Sequence, residues 1–197
     1  MMVDAFFYGT LLHPKILQRV IGNDGSHLQI CPAVIKDFTR HQITGADYPA
    51  IVPYSLSRSL FDRDLEADER SVRGSLVSGL TNEDVRLLDD FEGDEYTREV
   101  VVGYPLGPLV SLHDVPPVDA MESLVMAAAA SQALEPGRGV HTYVWCKSTS
   151  ELRPDFWTFE DFVRQNAWKW IGPGSEGNTD YAEVDRRRAM EGTIVRS

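Results

Sequence analysis

Cysteine is scarce in this chain of 197 residues, which contains only Cys31 and Cys146. The two lie far apart and without CxxC spacing, which excludes a disulfide framework and gives no zinc pattern; both read as small buried hydrophobes. No apolar run approaches the length that crosses a bilayer, and the N-terminus lacks the charged region, apolar stretch and cleavage site of a secretory signal. The expected location is cytoplasmic. Positive charge is also short: 19 Lys and Arg stand against 30 Asp and Glu, a formal net charge of -11. Beyond Arg186-Arg187-Arg188 no basic cluster offsets this, so phosphate backbones and anionic headgroups are repelled, and neither nucleic acid nor membrane is an expected partner. The common nucleophile and cofactor signatures are missing as well: there is no GxSxG, no HExxH, no P-loop and no GxGxxG after a strand. No two of His13, His27, His41, His113 and His141 are spaced i, i+4 and their local contexts are dissimilar, so each reads as a core or surface residue. No cofactor or metal is implied.

What is present is an ordinary globular composition, 43% hydrophobic and 25% charged, enough for one well-buried core. The reading is a single domain over residues 1–171 with an inserted segment at about 103–139 and a polar tail over 172–197. Val3 to Tyr8 reads as a buried strand entering a tight loop, followed by a helix that starts at Pro14, carries Ile16, Leu17, Val20 and Ile21 on one face, and stops at Gly22. Ile30 to Ile35, Phe38 to Thr44 and Ala50 to Val52 read as short strands, and the acidic stretch Ser57 to Arg70 as a solvated loop. Val72 to Leu80 is a further strand. Thr81 and Asp84 form a capping-box pattern opening a helix with Val85, Leu88 and Phe91 inward, which Gly93 ends. Tyr96 to Tyr104 alternates with period two, placing Tyr96, Arg98, Val100 and Val102 on one face. Gly103 to Gly139 reads as lying outside the core, with a helix at Val118 to Leu134. Val140 to Cys146 is a strand, with Tyr143 and Trp145 read as core. Phe159, Phe162, Val163, Ala167 and Trp170 mark an aromatic-faced helix, and a short charged helix fits Glu183 to Met190. Strands with segregated helices give the class α+β.

Two features carry chemistry. In Tyr8-Gly9-Thr10-Leu11, the glycine lets backbone N–H groups turn outward, and the helix beginning near Pro14 adds the positive end of its dipole, so an anionic group can bind there; the plainer alternative is a tight turn. Glu92 ends its helix, where the dipole is negative, among Asp89, Asp90, Asp94 and Glu95. Facing a partly apolar pocket, such a carboxylate is expected to have a raised pKa suited to proton transfer near neutral pH. A solvated acidic turn is its alternative, and the spacing does not match an EF-hand.

FFYGTLLHPKIL at Phe6 to Leu17, ITGADYPAIVP at Ile43 to Pro53, VRGSLVSGLTNEDVRLLDDFEGDEYTREVV at Val72 to Val101 and HTYVWCKS at His141 to Ser148 occur in the order seen in a known family. With the aromatic helix near Phe156 to Trp170 they cover well over half of the chain, and on them it resembles the γ-glutamyl cyclotransferase-like family, most closely its plant and fungal avirulence-induced-gene-like branch. That resemblance implies a small mixed β-barrel with peripheral helices, with the loop and Glu92 meeting at one mouth. It also implies an enzyme that releases 5-oxoproline by attack of a γ-glutamyl group's α-amine on its own γ-carbonyl. The roles it carries over are Glu92 as general acid/base and Tyr8, Gly9, Thr10 and Leu11 as substrate-binding, with Tyr96 as a further contact. The expected partner is a small γ-glutamyl molecule: glutathione, a γ-glutamyl amino acid, a γ-glutamyl amine or a biosynthetic intermediate. The acidic stretch Asp62 to Arg70 and the segment Gly103 to Gly139 depart from shorter family members and leave the leaving-group side of the pocket open. The alternatives are a binding or interaction protein on the same fold, or a different proton-transfer or acyl reaction using Glu92.

Overall fold

A computed structural model describes residues 2–46, 48–114 and 136–157. The helices expected at Val118 to Leu134, Phe159 to Trp170 and Glu183 to Met190, and the polar tail, lie outside these residues. The opening unit is the predicted one: β1 (Val3–Phe7), a 3-10 turn at Thr10–Leu12, and α1 (Pro14–Ile21). Ile16, Leu17, Val20 and Ile21 of α1 are buried, and Gly22 takes the left-handed φ of 69° that ends the helix. β2 (Gln29–Lys36), β3 (Phe38–Ile43) and β4 (Pro49–Pro53) follow, then the short α2 (Tyr54–Ser57). After β5 (Ser71–Leu80) come α3 (Asn82–Glu92), β6 (Tyr96–Pro105), β7 (Val110–Ser111), β8 (Arg138–Trp145) and β9 (Leu152–Phe156).

Five strands close into a mixed barrel in the order β5-β1-β8-β6-β2, with β2 returning to pair β5 over eight residue pairs. Closure leaves these strands no open edge. Every pairing is antiparallel except β1 with β8, where Ala5 lies opposite His141. That one parallel pair decides where the site forms. β1 and β8 run the same way, so their C-terminal ends share a rim, and β6, antiparallel to β8, brings its N-terminal end to the same rim. The barrel is filled by alternate residues of the strands, Phe6, Ala33, Ile35, Leu76, Val140 and Val144 among them. A second cluster packs α1 and α3 against the outer face through Leu17, Val20, Val77, Leu80, Leu88 and Phe91. A three-stranded sheet, β4-β3-β9, completes the described fold.

Three expectations are corrected. Cys146 is exposed rather than buried, its Sγ 3.4 Å from the Asp94 carbonyl. The charged stretch after β4 is a loop only in part, because a helical turn buries Ser57, and Leu65 tucks under at 7% exposure. The start of the segment assigned outside the core belongs to it: β6 continues to Pro105, β7 pairs with β2, and Leu106 and Leu112 are buried. Leucines bracketing the Val110–Ser111 pairing explain the difference. No described helix is long and apolar enough to cross a membrane.

Candidate active site

A pocket opens on the rim defined by the parallel pair. It is lined by Phe7 to Leu11 from the end of β1, Tyr48 and Pro49 at the start of β4, Phe91 and Glu92 from the end of α3, Tyr96 from β6 and Tyr143 from β8. All six residues singled out in the sequence, Tyr8, Gly9, Thr10, Leu11, Glu92 and Tyr96, therefore meet in one place.

The loop owes its shape to contact rather than to left-handed backbone. Gly9 has φ -124°, but a Cβ there would stand 2.9 Å from Pro49 Cγ, so only glycine lets the loop lie against β4. The turn spends the N–H groups of Leu12 and His13 on the carbonyls of Gly9 and Thr10, at 3.0 and 3.1 Å. The N–H groups of Thr10 and Leu11 have no acceptor among the described residues. The dipole expected from α1 is less available. His13 Nδ1 accepts from Lys15 N at 3.2 Å and the His13 carbonyl accepts from Ile16 and Leu17, so the first turn is capped from within. Burial first, and the Lys15 charge next, lower the His13 pKa to about 4, which keeps the ring neutral and able to accept.

Glu92 is half-buried at the last position of α3. Thr81 and Asp84 form the predicted capping box at the other end, and Gly93 ends the helix. The four pocket tyrosines give away their hydroxyl protons. Tyr8 Oη donates to the Tyr143 carbonyl at 2.6 Å, Tyr96 to the Pro49 carbonyl at 2.9 Å, Tyr48 to Glu95 Oε2 at 2.8 Å and Tyr143 to Asp89 Oδ1 at 2.9 Å. Carbonyls and carboxylates cannot donate, so each direction is fixed by chemistry. Burial is the main cause that raises the pKa values of Tyr8, Tyr96 and Tyr143 well above the phenol range, and the negative charge of Glu92 contributes to all three. These hydroxyls stay protonated at neutral pH, and among the described lining residues the one carboxylate is that of Glu92.

Tyr143 is the residue that sequence reasoning assigned elsewhere. It is buried as core, as expected, yet it also lines the pocket. Its alternation with Trp145 was visible, but which way that face looks follows from the β6–β8 register, with Tyr96 opposite Trp145 and Arg98 opposite Tyr143. Phe7, Tyr48, Pro49 and Phe91 were also missed, because contact across the rim leaves no local signature. Among the described residues no group of three or more His, Cys, Asp or Glu gathers to hold a metal.

A sequence model of the family described as gamma-glutamyl cyclotransferase, AIG2-like, matches residues 5–110. AIG2-like protein C of Arabidopsis thaliana is 25% identical over 159 residues, covering 81% of this chain and 68% of that protein. AIG2-like protein A of the same plant is 25% identical over 194 residues, covering 93% and 92%. The solution structure of another Arabidopsis protein aligns over 100% of this chain and 95% of that one, with a TM-score of 0.52 at 19% identity. That last similarity is one of fold.

Proposed function

Because the chain belongs to the AIG2-like γ-glutamyl cyclotransferase family, we propose that it is a γ-glutamyl cyclotransferase with Glu92 as its general acid/base. One observation carries this reading: Glu92 and the Tyr8-Leu11 loop, whose Thr10 and Leu11 N–H groups have no acceptor among the described residues, line the same pocket. The substrate supplies its own nucleophile, which fits a site whose described group for proton transfer is a carboxylate.

Glu92 takes a proton from the substrate's α-ammonium. The freed amine attacks the γ-carbonyl, forming the ring N–C bond, and the N–H groups of the loop stabilise the oxygen as it gains charge. The bond from the γ-carbon to the leaving nitrogen then breaks as Glu92 returns the proton to that nitrogen, and the ring nitrogen gives up its second proton by way of Glu92, so that the amine departs as its ammonium form. The products are 5-oxoproline and an amine, with no water consumed. Forming a five-membered ring within one bound molecule draws on the large effective molarity of aligned intramolecular reactions, so the protein's task is alignment and proton transfer. None of the described lining residues is cationic. A leaving group that carries its own carboxylate would add a further negative charge to the pocket that holds Glu92, so γ-glutamyl amines are favoured over glutathione and γ-glutamyl amino acids.

The test is to incubate the protein and Glu92→Gln with γ-glutamyl amines, γ-glutamyl amino acids and glutathione, and to quantify 5-oxoproline by mass spectrometry. Wild type is expected to release it, amines ahead of carboxylate-bearing substrates, and the variant about 100-fold or more slowly with unchanged circular dichroism. A folded wild type that releases none from any member sinks the reading.

A further inference from the structure

Asp89 precedes Glu92 by three residues on α3 and so occupies the same helical face. It does not line the pocket, yet it is bound to a residue that does. Its Oδ1 receives the Tyr143 hydroxyl at 2.9 Å and Arg98 Nε at 2.8 Å, and its Oδ2 receives Arg98 Nη2 at 3.2 Å. Arg98, from β6, thus grips both oxygens of Asp89 in a two-pronged pair that fixes the carboxylate. With its one proton committed to Asp89, Tyr143 has only oxygen lone pairs left for anything else that approaches.

We propose that Tyr143 accepts an N–H of the substrate's α-ammonium, and that Asp89 and Arg98 are positioning residues that keep the Tyr143 proton out of the pocket. This rests on the cyclotransferase reading and adds to it the recognition of the attacking nitrogen. That nitrogen carries three N–H groups before it reacts. Glu92 removes one, and an acceptor beside Glu92 holds a second and turns the remaining lone pair toward the γ-carbonyl. A tyrosine free to rotate would at times present its proton to the ammonium and repel it. Glu92 adds to the raised pKa of Tyr143, which places the two groups within electrostatic reach of one another. The shared acceptor face is also consistent with the other pocket tyrosines, whose protons go to Pro49, Glu95 and the Tyr143 carbonyl.

The test compares binding with turnover. In the Glu92→Gln background, calorimetry measures the affinity for a γ-glutamyl amine and for its analogue lacking the α-amino group, before and after Tyr143→Phe and Asp89→Asn. The carboxamide introduced by Asp89→Asn can turn its NH2 toward Tyr143 and free the phenol proton. Each change is expected to weaken the amino ligand about tenfold or more, in keeping with a hydrogen bond to a charged group, and to leave the deaminated analogue within about twofold. Asp89→Asn added to Tyr143→Phe should cost less than about twofold further, because its effect runs through the hydroxyl. In the active protein both single changes should raise KM more than they lower kcat. Equal losses for both ligands, or full additivity of the two changes, overturn the proposal. If wild type forms no 5-oxoproline but the amino-dependent losses appear, the cyclotransferase reading falls and the ammonium site stands. If turnover is normal and the losses are absent, the reverse holds. Absence of any binding or turnover removes both.

Discussion

At His13 a ring nitrogen stands where helix caps usually place a hydroxyl or carboxamide oxygen, and this makes the start of α1 sensitive to acid. The ring is 3% exposed and accepts from Lys15 N. Its pKa in the folded protein is about 4, against an ordinary 6.5, with burial the largest cause. Between these values the unfolded chain binds a proton that the folded one refuses, so stability is full above about pH 6.5 and falls as pH drops toward 4. The loss between pH 8 and pH 5 is about 2 kcal/mol from this one group. His41, fully buried and also lowered chiefly by burial, adds in the same direction. Urea unfolding at the two pH values should show the drop, and His13→Asn, which retains a cap and removes the titration, should shrink it without abolishing it. An unchanged slope in the variant would mean that the ring does not resist protonation.

Much of the chain is legible at the scale of the element. Among the described residues the two long helices start and stop where capping residues, prolines and glycines place them, and the barrel strands fall where short apolar runs alternate. Asp84 shows the limit of that legibility. The capping box identifies it as a partner of Thr81, whose N and Oγ1 both donate to Oδ2 at 2.8 Å. Nothing local shows that Asn23 Nδ2 reaches Oδ1 at 2.8 Å or that His27 Nε2 lies 2.9 Å from Oδ2. Burial alone would raise the Asp84 pKa, but the hydrogen bonds from Thr81, His27 and Asn23 together outweigh it and hold the carboxyl below its usual value. The residue therefore ties the chain after α1 to the helix that carries Glu92. Asp84→Ala should cost about 2 kcal/mol by removing the charged acceptor of the bonds from Thr81, Asn23 and His27 together, whereas Thr81→Ala should cost about 1 kcal/mol as the loss of a cap. Denaturant titration distinguishes them, and equal costs would mean that the bonds to Asn23 and His27 contribute little.

Across the whole molecule, what the sequence withheld is the closure of the barrel. The β1–β8 pair joins Ala5 to His141, residues from opposite ends of the described chain, and no local pattern states that Tyr143 will lie beside Glu92. Resemblance supplied the meeting of the loop with Glu92; strand pairing supplied the tyrosines around it. The same scale decides what Glu92 costs the fold. The chain carries a net charge of -11, and Asp89, Asp90, Glu92, Asp94 and Glu95 crowd the junction of α3 with β6. Asp89 pairs with Arg98, Asp90 with Arg86 and Asp94 with Lys147, and the charge of Glu92 opposes the ionisation of three buried tyrosines. In the proposed reaction the carboxylate is kept for proton transfer, and in such a field it is retained at the expense of stability. Glu92→Gln should therefore melt at the same temperature as wild type or about 1–3 °C higher, since one negative charge is withdrawn from a crowded run. The gain should shrink in 1 M salt, where charges more than about 3 Å apart are screened. Differential scanning calorimetry at low and high salt measures both. A fall of several degrees would instead assign Glu92 a structural role at the rim, and the loss of 5-oxoproline release in that variant could then no longer be read as the loss of an acid/base.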